Sequence, residues 1–596
     1  MHALTLPLLL SRLLSTSVPK LEGCLSMLSL FHFSCLGSSA PASPPRPHIV
    51  LFVVDDLGWG DVSFHREVQT REVQTPFMAS LVKDGIELTR QYLASSCSPS
   101  RAALISGRFP PHVNALLQEP TVANPNDTMS GWQGIPRNMT GLGSVMRAGN
   151  YYTAQVGKWD CGMATPQHTP MGRGFDSSLC YFHHANDYFS RTEGSCRVVN
   201  GTAVQSGAKP GVPHTMVDMW RDNGPAVKTN ASAGGSNGTY EEDIFLAEAL
   251  RIIRSIDNSS RSSSSSEETS EAAGAAGAST ALVTRAKKQQ PLFLYYAAHV
   301  VHEPYEVTWE YESQFQFINV TSRRMYHSMV KCIDDVIKSL VNELKTRNMW
   351  DQTLFVLSTD NGGPIGKNAG ANNYPLRGGK YSNWEGGVRG TAFVSGGFLP
   401  QAVRGTVLRD PIHVADYYTT FAALAGVDPT DVAAKQAGLP PIDGVNLWPR
   451  LSGATQVPPR HEIYGDGLHS SYGFLINGTN KLILGTIPFA VWTGPMNPNE
   501  TDSKVNNNWN CSSCTPPVTL SKVDCTKGCL YDVEVDPSER VELSATQPEA
   551  RDALLARLLH LINTTAFTPN RGVVDPRACD VGVHKYGNFW GPFAFI

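Results

Sequence analysis

The sequence predicts an α/β protein, with a large sheet sandwiched by helices and a smaller C-terminal α+β domain carrying an antiparallel sheet. Three observations predict it. The runs His48 to Val54, Pro291 to Ala298 and Thr353 to Thr359 are continuously apolar and rich in β-branched or aromatic residues, as strands buried on both faces are. Each stops at polar chemistry, namely Asp55-Asp56, His299 to His302 and Asp360-Asn361, at the strand end where open α/β sheets place ligands. After Asp443-Gly444 the pattern changes to short runs at Ile463, Tyr472 to Ile476 and Lys481 to Leu484, which suit antiparallel strands.

The intervening segments supply the helices. Ile244, Phe245, Leu250 and Ile253 fit an amphipathic helix over Glu241 to Ile256, and Met329, Ile333, Val336, Ile337, Leu340 and Leu344 keep helical spacing. Pro76 to Gly85, Gly141 to Gly149, Asp410 to Ala425 and Pro548 to Ile562 read as further helices, and Tyr152 to Gly157 as a short strand. Residues 257–288 are serine- and alanine-rich, cannot bury a core, and read as a low-complexity insertion. The expected division is therefore 1–45, 46–440 and 441–596.

Residues 1–45 carry apolar runs followed by Gly37-Ser38-Ser39-Ala40 and a proline-rich stretch, the pattern of a secretory signal, although two runs with Arg12 and Lys20 between them leave a later start at Met27 open. Eleven Asn-x-Ser/Thr acceptors between Asn126 and Asn563 and twelve cysteines agree with an exported glycoprotein, lysosomal or extracellular. Cys180 and Cys196 bracket a short loop. For Cys511, Cys514, Cys525 and Cys529 the exported context favours disulfides, with zinc as the alternative. A net charge of -4 gives no electrostatic case for nucleic acid, and no apolar run reaches the ~20 residues of a membrane span.

The stretch with most chemistry is Cys97-Ser98-Pro99-Ser100-Arg101-Ala102-Ala103-Leu104-Ile105-Ser106-Gly107. Pro99 suits a first helical turn and Gly107 a stop, so Cys97 falls at a helix N-terminus, where unpaired N–H groups favour an anion. Arg101, one turn in, can reach back toward it. Asp55 and Asp56 repel each other unless a cation intervenes, and Asp360 with Asn361 adds hard oxygen donors suited to Ca²⁺ or Mg²⁺.

Cys97-x-Pro99-Ser100-Arg101-x-x-Leu104-x-x-Gly107 resembles the signature of type I sulfatases, whose fold is an alkaline phosphatase-like large mixed sheet sandwiched by helices. The resemblance covers about residues 47 to 565. It implies that Cys97 is oxidised by a formylglycine-generating enzyme to formylglycine, an aldehyde whose hydrate attacks sulfur. It also implies a Ca²⁺ ion on Asp55, Asp56, Asp360, Asn361 and residue 97, with Arg101, Lys158, His302 and Lys380 as catalytic residues. His302 would protonate the leaving oxygen, and His299 is a weaker candidate. The segments 291–304 and 376–389 look most like arylsulfatase B and its relatives, implying a sulfated sugar or small molecule as substrate.

One position departs. Gly157-Lys158-Trp159-Asp160-Cys161-Gly162 matches the family's Gly-Lys-Trp-His-Leu-Gly except that Asp160 replaces the histidine. An aspartate there would repel sulfate. Either another group compensates, with His183 and His184 as candidates, or turnover is altered. A catalytically impaired binding protein and a phosphoryl-ester hydrolase of the same superfamily therefore stay open.

Overall fold

The three apolar runs become neighbouring parallel strands at the middle of one ten-stranded mixed sheet in the computed structural model. The structure describes residues 46–113, 117–199, 202–206, 214–226, 239–256, 290–366, 369–469, 472–494, 521–567 and 570–595. The expected signal segment 1–45, the low-complexity insertion expected over 257–288, Cys511 and Cys514 lie outside the described residues. Arg46–Ile596 form a single unit by contacts.

Across the sheet the order is Gly224–Pro225, Trp220–Arg221, Ser177–Tyr181, Tyr152–Lys158, Leu292–Ala297, His48–Val54, Thr353–Thr359, Ala392–Ser395, Ile86–Leu88 and Thr406–Leu408. Val54 pairs with Thr359, Val53 with Ala297, and Ala297 with Gly157, all in parallel register. Parallel strands in this register must end together. The residues that follow them (Asp55, His299, Asp360) and the last residue of the fourth strand, Lys158, are therefore delivered to one edge. At Gly157 the pairing demands glycine: its φ is 94°, and a Cβ there would lie 1.9 Å from the Ala297 carbonyl oxygen.

Alternation along His48–Val54 fills two cores. Ile49, Leu51 and Val53 pack with Leu104, Ile105, Tyr418 and Phe421 from the helices Cys97–Ser106 and Asp416–Ala425. Val50, Phe52 and Val54 pack on the opposite face with Phe245, Ile252, Ile333 and Leu340 from the helices Glu241–Ser255 and Thr321–Thr346. This is the predicted α/β class, a sheet between helical layers. The helix expected from Asp410 begins only at Asp416, because Ile412–His413 is drawn into a parallel strand pairing with Gln91–Tyr92.

The C-terminal strands Glu462–His469, Tyr472–Asn477, Asn480–Pro488 and Lys522–Asp532 form the expected antiparallel sheet. The helix Pro548–Thr565 covers one face, burying Leu554, Leu558, Leu561 and Ile562 against Leu475, Leu482 and Leu530. The other face meets Trp384 and Val388. There the buried Lys481 ammonium bridges Glu385 at 2.8 Å and Glu539 at 3.0 Å. Burial pushes Glu539 up to about 7 against the pull of Lys481. Lys481→Met strands the buried Glu539 and leaves Glu385 with the Arg389 ion pair alone, so urea denaturation is expected to show a loss of about 3–5 kcal/mol.

Two disulfides are present among the described residues. Cys525 pairs with Cys529. Cys196 pairs with Cys579, which ties the strand Thr192–Val199 to the C-terminal helix Pro576–His584, so Cys180 is left unpaired rather than closing the short loop. Among the described residues no helix is long and apolar enough to cross a membrane.

Candidate active site

Cys97 opens its helix as expected. Ser96 is the N-cap residue in an extended conformation, and Gly107 ends the helix at φ 70°. The thiol is unpaired and 1% exposed, and Cys97, Asp55 and His302 offer ligand atoms within 4.8 Å of one another. Burial pushes this thiol up to about 12 even with Lys158 and Lys380 pulling it down, so an unmodified Cys97 is protonated at neutral pH and holds no thiolate nucleophile.

Asp55, Asp56 and Asp360 also bring carboxylate oxygens within 4.8 Å. Asn361 joins them, its Nδ2 donating to Asp56 at 2.7 Å. The Asp55 Oδ1 and Asn361 Oδ1 atoms are buried without a hydrogen-bond partner. Unpartnered hard oxygens beside three crowded acids are the donor set of an oxygen-liganding divalent cation; of the neighbouring softer donors, the Cys97 thiol is protonated and the His302 Nε2 is engaged by Lys380. Burial and the Asp55 charge raise Asp360 above the usual carboxylate range, as expected of acids pressed together. Asp56 sits at φ 57°, a left-handed conformation that turns its carboxylate back into the cluster.

Each acid also faces a base. Lys158 Nζ lies 2.7 Å from Asp55, Lys380 Nζ 2.8 Å from Asp56, and the Arg101 guanidinium 2.8 Å from Asp360. Arg101 therefore lies under the carboxylates, 3.5 Å from Asp55, with a further bond to the Lys158 carbonyl. Its partners are the acids, where the helical spacing had pointed it back at Cys97.

His302 stands at the rim of the group. Its Nδ1 lies 2.6 Å from the Glu303 carbonyl, and its Nε2 is 3.0 Å from Lys380 Nζ. That pattern assigns the proton to Nδ1 and makes Nε2 the acceptor. Burial and the neighbouring Lys380 and Lys158 charges push His302 well below the usual histidine range, so the ring is neutral here. His299 is set further in. It pairs with Glu241 at 2.8 Å and stacks on Tyr188 with ring centroids 3.9 Å apart. Glu241 carries no sequence signal for this role, since it opens an ordinary amphipathic helix.

Asp160 lies at φ 49° and accepts from Ser98 Oγ at 2.8 Å, while His184 Nδ1 is 3.0 Å from the same Oδ1. Burial alone would raise Asp160, but His184, Lys158 and Arg101 hold it at about 2. His183 points elsewhere. Its Nδ1 is 2.8 Å from Asp218, and its ring packs on Trp590.

Residues 47–427 match the family model described as Sulfatase. The chain belongs to the sulfatase family. By family it is a sulfuric ester hydrolase. This sulfatase is 27% identical over 572 residues to mouse (Mus musculus) arylsulfatase J, covering 93% of this chain and 81% of that one. It is 28% identical over 528 residues to human (Homo sapiens) N-acetylgalactosamine-6-sulfatase, covering 87% and 85% of the two chains. The crystal structure of Ps i-CgsB shares the fold, with a TM-score of 0.61 at 24% identity, covering 88% of this sulfatase and 94% of that chain.

Proposed function

We propose that this sulfatase hydrolyses sulfate esters of sugars through formylglycine derived from Cys97, with a calcium ion held by Asp55, Asp56, Asp360 and Asn361. The observation that carries the reading is the convergence of a buried, unpaired Cys97 at a helix N-terminus with three carboxylates and two lysines. A hydrated aldehyde at position 97 supplies a nucleophilic hydroxyl, and a second hydroxyl through which sulfate can leave; a serine would be stranded as a stable sulfate ester. A bound divalent cation supplies charge that polarises oxygen and acidifies a hydroxyl.

The remaining work falls to this chain's own side chains. Lys158 and Lys380 are kept charged by Asp55 and Asp56, which raise both well above their ordinary range against the cost of burial. With Asp55 and Asp56 engaged as cation ligands, Lys158 and Lys380 would be free to bind the sulfate oxygens. Arg101 orients Asp360 and pulls against the rise that burial and Asp55 impose on it. His302 Nε2 accepts from the charged Lys380, so the proton for the leaving oxygen comes from the Lys380 ammonium and passes through Nε2. The name of the human relative, N-acetylgalactosamine-6-sulfatase, supports a sulfated hexosamine as the first substrate to try. An exported setting also supplies the formylglycine-generating enzyme that Cys97 requires.

The test is release of inorganic sulfate by protein purified from a secretory host, across a panel of sulfated hexosamines and one aryl sulfate. Turnover of at least one sugar sulfate, lost in Lys380→Ala, is expected. Absence of sulfate release from every compound would overturn the reading.

A further inference from the structure

The replacement of the family histidine by Asp160 leaves a question that the surrounding geometry answers. Asp160 is an anion in the wall of a site built for an anion. Yet its Oδ1 accepts from Ser98 Oγ at 2.8 Å and lies 3.0 Å from His184 Nδ1, while Ser98 Oγ and His184 Nδ1 are 3.3 Å apart. Ser98 directly follows Cys97, so the imidazole lies against the first turn of the Cys97 helix. A carboxylate acceptor fixes the His184 tautomer with its proton on Nδ1. The Nε2 edge then has no protein partner among the described residues. The His184 side chain is 20% exposed, against 3% for Asp160 and 3% for Lys380, so the ring is reached by solvent where its neighbours are not. His183 cannot share this role, since Asp218 and Trp590 hold it.

We propose that Asp160 relocates a histidine rather than removing one: His184, oriented by Asp160 and bracketed by Ser98, is the imidazole that acts on the residue-97 side chain and its sulfate. The inference rests on the formylglycine reading. Nε2 takes the proton from the free hydroxyl of the sulfated residue-97 side chain. The electron pair left behind forms the C=O, and the C–O bond to sulfate breaks. The imidazolium so formed keeps its Nδ1–H bond to the Asp160 carboxylate and returns its proton to water through its exposed edge. His184 is then a catalytic residue, and Asp160 a positioning residue that acts through it.

Two measurements test this, one of them independent of turnover. Diethyl pyrocarbonate is expected to carbethoxylate His184, as located by peptide mass spectrometry, and inorganic sulfate is expected to slow that labelling. Asp160→Asn, which loses the anchoring charge, is expected to change the labelling rate and to lower kcat about tenfold with little change in KM. His184→Ala is expected to lower kcat by about 100-fold or more at an unchanged melting temperature, with added imidazole restoring part of it. Failure of sulfate to protect His184 would overturn the proposal even in a preparation that shows no turnover. So would a His184→Ala enzyme within about threefold of wild type while Lys380→Ala is inactive; that result would leave the sulfatase reading itself intact.

Discussion

Cys97→Ser is expected to reduce sulfate release by about 10⁴-fold or more, the scale of losing a covalent nucleophile. That corresponds to roughly 5.5 kcal/mol of transition-state stabilisation. The loss is chemical rather than steric, because serine fits the volume of the buried Cys97 site. It offers a single hydroxyl, so any sulfate it accepts has no neighbouring hydroxyl to expel it. The expected signature is therefore one stoichiometric sulfation of the protein followed by silence, read as a burst with no steady state. Full activity in Cys97→Ser would exclude an aldehyde-based route, and the high position of the Cys97 thiol already argues against a thiolate one.

The second large effect concerns the acids. Calcium at about 100 times its Kd is expected to stabilise the folded protein by about 2.7 kcal/mol, visible as a rise in melting temperature that chelation reverses. Asp360→Asn is expected to abolish that rise and most turnover. It also removes the shorter of the two ion pairs of the wholly buried Arg101, leaving Asp55 at 3.5 Å, and so costs about 3 kcal/mol even without calcium. The two contributions separate by calorimetry, since only the first depends on calcium. An Asp360→Asn protein with the wild-type calcium response would place the cation elsewhere.

The cluster of acids was legible in the sequence because its members share one local grammar. An apolar run predicts a buried parallel strand, and whatever follows such a run arrives at the ligand-binding edge. Asp55, Asp56, Asp360, Asn361 and His302 are all placed by that rule, and Cys97 by the helix signals of Pro99 and Gly107. The misreadings are all tertiary. Arg101 is drawn to Asp360, far along the chain, and helical spacing within one segment carries no information about that acid. Cys196 finds Cys579 at a sequence separation of 383, whereas proximity in sequence suggested Cys180. The burial of Trp590 against His183 shows a C-terminal segment used as a wall, though nothing local in 570–595 announces it. His184 was visible as a histidine, but its meeting with Asp160 depends on how the chain after Ser177–Tyr181 turns back over the Cys97 helix.

The central claim is that position 97 holds an aldehyde beside a hard cation site. Peptide mass spectrometry of the protein secreted by a host with an active formylglycine-generating enzyme tests it most directly. The account predicts that the peptide containing residues 97–101 carries the mass of an aldehyde at position 97, trapped as a hydrazone by an added hydrazine. A peptide that retains an alkylatable thiol at Cys97 in protein that nonetheless releases sulfate would contradict it.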